Sequence, residues 1–193
     1  MKFKVFIVSV LFICSLLPEL IFAQNKVVVI PLGGDEVSCS GTLVGIRWCD
    51  QGDGTVLDMT TGLVWLKNAD WGGGRIWRQN TTCISPNYTC HEDAHTGTGL
   101  LSTGATGAGL SDGSVAGDWR LPTKTELDNL ANGTEAVRSD NMRAFTGVQS
   151  TYYWSSSTYA DNISHAWSVH MKGHVYHHDK GTNYRVWPVR AGN

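Results

Sequence analysis

From Tyr152 to Arg190 the chain alternates apolar and small polar residues, the period of two by which a half-buried strand sends successive side chains to opposite faces. Trp154, Ala166, Trp167, Val169, Met171, Val175, Val186, Trp187 and Val189 supply the buried side. The positions between them are polar and rich in rings: His165, Ser168, His170, His174, Tyr176, His177, His178, Asp179, Asn183 and Tyr184. Strand geometry sends many of these to one solvent-facing surface. A rigid apolar frame presenting Tyr, His, Asn, Ser and Asp is the composition of a ligand-binding face, because such side chains offer contact area and hydrogen bonds at modest entropy cost. An ordinary antiparallel sheet with one wet face gives the same alternation.

Upstream, Gln24 to Leu32 is a short β-like run ending at Pro31. Thr55–Asp58 and Leu63–Leu66 are strand-like and are joined by Met59-Thr60-Thr61-Gly62, which predicts a hairpin. Thr123 followed three residues later by Glu126 is a capping box, so a helix starts after Pro122, carries Leu127 and Leu130 inward and stops by Gly133. His91 to Leu101 predicts a weaker helix that Gly97 and Gly99 keep short. Asn141 to Phe145 adds a turn, and Ser102 to Gly117, a run dominated by Gly, Ser, Thr and Ala, reads as a long ordered surface loop. Among 193 residues, 22 glycines break up long helices while 8 tryptophans fill a small core, which predicts a loop-rich α+β domain.

Met1 to Ala23 reads as a secretory signal: Lys2 and Lys4 open it, Val5 to Leu17 is apolar, and Ile21-Phe22-Ala23 suits cleavage. The apolar run is shorter than the roughly 20 residues that span a bilayer, so no stable membrane insertion is expected after its removal. Residues 24–193 then form a single domain, exported to the periplasm, the cell surface or the medium. Cleavage removes two lysines and one glutamate and takes the formal charge from −2 to −3, a balance that argues against nucleic acid as a partner.

Cys39, Cys49, Cys83 and Cys90 remain, an even set that in an exported chain implies two disulfides. Three pairings are possible; we favour Cys39 with Cys49 and Cys83 with Cys90, since each pair is close in sequence and brackets a loop. The alternative is a zinc site, against which neither pair has zinc-knuckle spacing. Asp50, Asp53 and Asp58 superficially resemble a calcium loop but lack its closing glutamate and ligand spacing, and read as turn formers.

Four blocks in order, GDGTVLDMTTGLVWLK, DGSVAGDWRLPTKTELDNL, YYWSSSTYADNISHAWSVH and VWPVR, resemble the Lcl C-terminal domain family from about Asp50 to Arg190. The resemblance implies a compact C-type lectin-like fold, a twisted antiparallel sheet with about two helices and long loops, and the role of a surface adhesin, including binding of sulfated glycosaminoglycans. The region from Asp161 also resembles the variable region of proteins diversified by retroelements, in which mutated adenines convert asparagine codons. Asp161-Asn162-Ile163-Ser164-His165 is drawn wholly from the residues such changes yield, as are Ser168, His170, His174, Tyr176, His177, His178, Asp179, Thr182, Asn183 and Tyr184. Ala166, Trp167, Val169, Gly173, Val175, Val186, Trp187 and Pro188 cannot arise that way and read as scaffold.

Five of the seven histidines follow Ser164. As strand residues His174 and Tyr176 share a face, His177 falls on the other, and the turn after His170 makes that ring hard to align, so solvated ligand-contacting histidines are preferred to a metal site. From His165 onward four cations face Asp179, a formal +3 that five protonated histidines would raise to +8, which suits an anionic ligand. No Ser-His-Asp elbow or H-E-x-x-H helix is present, the C-terminal region holds no cysteine, and the Glu-Pro-Asn or Gln-Pro-Asp triplet of calcium-dependent lectins is missing. The expectation is a non-enzymatic domain without cofactor that binds a surface or extracellular macromolecule, glycan or protein. A lectin-fold enzyme and a structural envelope protein are the alternatives.

Overall fold

Asp58 illustrates how the turns of this chain are built. Its buried carboxylate accepts from the Thr60 backbone N–H (3.0 Å) and hydroxyl (2.7 Å) and is gripped by Arg47 (2.9 and 2.6 Å), fixing the Met59–Gly62 connection between two apolar strands. Asp53 does the same for Thr55, and Asp50 accepts from Gly52 N–H while pairing with Lys67. These aspartates act as turn formers.

The computed structural model describes residues 27–29, 37–78, 93–132 and 143–192. In chain order they form β1 (Val27–Val29), β2 (Val37–Cys39), β3 (Thr42–Val44), β4 (Trp48–Asp50), β5 (Thr55–Asp58), β6 (Leu63–Leu66), β7 (Gly74–Arg75), α1 (Ala94–Gly99), α2 (Lys124–Ala131), β8 (Tyr152–Thr158), β9 (His165–His170), β10 (His174–Asp179), β11 (Tyr184–Arg185) and β12 (Val189–Ala191). The fold is mostly β with two helices. The expected single twisted antiparallel sheet is instead two five-stranded sheets, β12-β6-β5-β4-β3 and β10-β9-β8-β11-β7, plus the β1-β2 ribbon, and β11 runs parallel to β8. A parallel neighbour arises because the chain returns to the second sheet after the whole β8-β9-β10 meander, a long-range connection that alternation along one strand does not encode.

The last segment joins the sheets. Tyr184-Arg185 pairs in one and Val189-Arg190-Ala191 in the other, so Val186, Trp187 and Pro188 between them are drawn through the interior and buried. The Trp187 indole N–H donates to the Leu66 carbonyl (2.8 Å), and its ring meets Trp65, Phe145 and Tyr153. Phe145 in turn meets Trp48, so a chain of ring contacts joins the two sheets. Trp119 and Trp154 are also buried, and their N–H groups reach Ser114 Oγ and the Arg75 carbonyl.

α2 has the expected capping box, Thr123 and Glu126 bonding reciprocally to each other's backbone N–H, and it buries Leu127 and Leu130 against β8 and β9. α1 is shorter than the expected His91–Leu101: it starts at Ala94, capped by Asp93, and is over by Gly99. Cys39 and Cys49 form a disulfide with Cα atoms 5.5 Å apart, tying the β1-β2 ribbon to β4. The expected Cys83–Cys90 pairing lies outside the described residues. No described helix is long and apolar enough to cross a membrane.

Candidate functional site

β8, β9 and β10 form one end of the second sheet, with β10 as its outermost strand. β9 and β10 are joined by a three-residue turn, Met171-Lys172-Gly173, in which the Gly173 N–H returns to the His170 carbonyl (2.8 Å). Gly173 has φ 85°, a conformation that favours glycine, and a Cβ there would have to displace the Asn132 side chain, whose Oδ1 would lie 2.7 Å away. The turn fixes the register: His174 opposes His170, Tyr176 opposes Ser168, His177 opposes Trp167, and Asp179 opposes His165.

Directly opposed residues share a face, so the register sorts the expected site into two sets. One face carries Tyr152, His170, His174, Ser168, Tyr176 and His178; the other carries Trp167, His177, His165 and Asp179. The single solvent-facing surface expected from the sequence is therefore corrected to two. His170 and His174, expected to be hard to align, are directly paired with ring centroids 6.0 Å apart. Ser168 is not a surface residue: it is fully buried, its hydroxyl donating to the Tyr176 carbonyl (3.2 Å) and lying 2.8 Å from His178 Nδ1. Trp167, expected in the core with Ala166, is only half-buried: it lies on the opposite face of β9 from Ala166. The Lys124 ammonium, at the start of α2, sits 3.9 Å over its ring.

On the first face the rings pack edge to face. Tyr152 meets His170 (5.0 Å), His178 (4.7 Å) and Tyr184 (5.4 Å), and Tyr184 rests on buried Trp154. On the second face Tyr159 stacks on His177 with centroids 3.9 Å apart and planes within 4°, and Trp167 stands perpendicular to both. Tyr176 and His177, consecutive residues from opposite faces, also stack within 10° at 4.8 Å. Both rings must lean past the outer edge of β10 to do so, and Tyr176 also touches His178 (5.1 Å). The contacts thus run without a break from Trp167 through Tyr159, His177, Tyr176, His178 and Tyr184 to Tyr152, wrapping the edge of the sheet. Tyr176, at its crest, is 54% exposed.

Asp179 and Asn183 are exposed where the chain turns from β10 toward β11, the Asp179 carboxylate accepting from Gly181 N–H. His165 and His177 face each other through their Nδ1 atoms, 3.1 Å apart. Desolvation, with smaller contributions from Lys172 and His174, lowers the pKa of His170; desolvation, then His177 and His165, lowers that of His178. Burial raises the Tyr184 phenol, helped by Tyr152, and a hydrogen bond to Asp161 raises that of Tyr159. Tyr152 was missed because it shares its face with Trp154, which the alternation assigns to the buried side. Tyr159 and Lys124 were missed as well: one follows a bulged strand and the other arrives on a helix.

Among the described residues no group of three or more His, Cys, Asp or Glu is arranged to hold a metal ion. A shallow cleft of about 350 Å³ lies elsewhere, lined largely by Gly52, Gly54, Gly107 and Gly109, and its Lys67 is already paired with Asp50. No curated protein matches the chain. The model of the Lcl C-terminal domain matches residues 54–190, from the β5-β6 hairpin through the ring-bearing strands to the segment that joins the two sheets. This protein belongs to the Lcl C-terminal domain family.

Proposed function

We propose that this chain is an exported adhesin-like domain of C-type lectin-like fold whose ring-covered sheet edge binds a macromolecule, a glycan or a protein, without catalysis. The carrying observation is the unbroken run of seven side chains from Trp167 to Tyr152, wrapped over β10 with Tyr176 half in solvent. Rings that pack on one another are held in place before a ligand arrives, so little rotamer entropy is lost on binding. The buried Cys39–Cys49 disulfide suits an oxidising compartment such as the periplasm or the cell exterior.

Diversification of the surface fits the division between inside and outside. Asp161, Asn162, Ile163, Ser164, His174, Tyr176, Asp179 and Asn183, all reachable by adenine mutation, are exposed, whereas Ala166, Val169, Val186, Trp187 and Pro188, which are not reachable, are buried. Ile163, 77% exposed on the loop before β9, has no packing role that would select an apolar side chain. Buried Ser168 and half-buried Trp167, Gly173 and Val175 depart from the division, and the reachable His165, His170, His177, His178, Thr182 and Tyr184 are half-buried.

The test is a glycan and protein array probed with the purified domain, followed by Tyr176→Ala and His178→Ala. A selective hit that both substitutions abolish, with unfolding unchanged, supports the reading. A hit insensitive to both, the absence of any hit, or turnover of a substrate refutes it. Absence from the gene's neighbourhood of a reverse transcriptase and template repeat would remove diversification alone.

A further inference from the structure

His165 and His177 face each other through Nδ1, 3.1 Å apart, as a hydrogen-bonded imidazole pair. We propose that they form a bidentate site for a divalent transition metal of the zinc type, with its remaining positions open. At a zinc–nitrogen distance of about 2.05 Å, two ligand atoms 3.1 Å apart subtend about 100° at the ion, close to a tetrahedral angle. Both imidazoles already converge through the same ring nitrogen, and imidazole suits zinc, copper and nickel.

The rings are held as ligands need to be. His177 is sandwiched by Tyr159 and Tyr176, and Trp167 bounds its edge. His165 is anchored through its backbone, its N–H donating to the Asn162 carbonyl (2.9 Å) and its carbonyl accepting from Tyr159 N–H (3.0 Å). Asp179 opposes His165 across the strands and Asp161 bonds to Tyr159, which places two carboxylates on this side of the sheet. The nearby cations are engaged: the Lys124 ammonium lies on Trp167, and that of Lys180 donates to Thr158 Oγ1 and the Ile163 carbonyl. Because no third His, Cys, Asp or Glu among the described residues completes the site, water or a donor from a bound partner fills the other positions. A metal held this way would make recognition depend on a carboxylate or imidazole of the partner. The imidazole pair by itself carries the proposal, so a blank array leaves it standing.

The experiment is calorimetric titration of the chelator-treated chain with zinc chloride, repeated on His165→Ala, His177→Ala and a His170→Ala/His174→Ala double variant. Imidazole ¹⁵N spectra of the unmodified chain, with and without zinc, make the outcome independent of how the variants fold. One zinc should bind per chain, at least about tenfold more weakly in either single variant, since disturbing even outer-shell groups costs 10–100-fold. Affinity should be retained in the double variant, and the Nδ1 resonances of two histidines should move. Unsaturable binding, binding lost with the His170/His174 pair instead, or unmoved Nδ1 resonances would overturn the site.

Discussion

His95 should make this fold acid-labile well above the pH at which its carboxylates titrate. It lies on α1 with its ring edge-on to Trp77 (4.4 Å), and its Nε2 is buried without a hydrogen-bond partner among the described residues. Burial above all, then Arg78 and Lys180, lowers its pKa from 6.5 to about 4, with Asp93 pulling the other way. Between those values the unfolded chain binds a proton that the folded chain refuses. Stability is therefore fully present above about 6.5 and is lost as the pH falls toward 4. A gap of about 2.5 units corresponds to at most about 3.4 kcal/mol, and screening of a partly exposed ring reduces this to about 1–2 kcal/mol. His95→Phe keeps a ring against Trp77 and removes the titration. Urea unfolding of both proteins from pH 7.5 to 4 should show the natural chain losing about 1–2 kcal/mol more than the variant. Asp58, Asp112 and Glu126, whose carboxyls are held below their usual range, contribute in both proteins and cancel in the difference. Parallel stability curves would refute the reasoning.

Four further outcomes are expected. Trp187→Ala, which removes the indole joining the two sheets, should cost about 3–5 kcal/mol in chemical unfolding, whereas Trp167→Ala at the half-buried surface should cost clearly less and act mainly on ligand binding. Replacing Cys39 and Cys49 together by serine opens a loop of sequence separation 10 and should lower stability by about 2–3 kcal/mol, read as a fall in thermal midpoint that reductant reproduces in the natural chain. Thr123→Ala deletes one half of the α2 capping box and should cost about 1 kcal/mol in urea unfolding, with Glu126 retained. Affinity for an anionic ligand should rise on acidification and, because His170 and His178 are less basic than free imidazole, should keep rising below pH 6.5; an affinity flat from pH 7.5 to 5 would contradict this.

Local rules in the sequence were enough for the elements whose determinants are close together in the chain. The β5-β6 hairpin follows from two apolar runs around an aspartate-held turn, and α2 follows from Thr123 and Glu126, because capping and turn bonds join residues two to four apart. Period-two alternation likewise marked the 152–190 region as strands and named buried residues within it, Trp154, Val169 and Trp187 included. The four blocks were sufficient for the family. What alternation alone left open was which neighbour each strand would find: the parallel return of β11 beside β8 and the crossing of Val186-Trp187-Pro188 between sheets depend on contacts between residues far apart in the chain.

The site divides along the same line. Its residue types were legible, but their arrangement on two faces was decided by the Gly173 turn, which sets the β9-β10 register and with it the burial of Ser168 and the pairing of His170 with His174. Only the folded chain brings Tyr159 onto His177, Lys124 over Trp167 and His165 to within 3.1 Å of His177. Side-chain chemistry is a property of each residue and is written in the sequence, whereas ring-to-ring geometry is a property of strand order and register, which long-range packing decides.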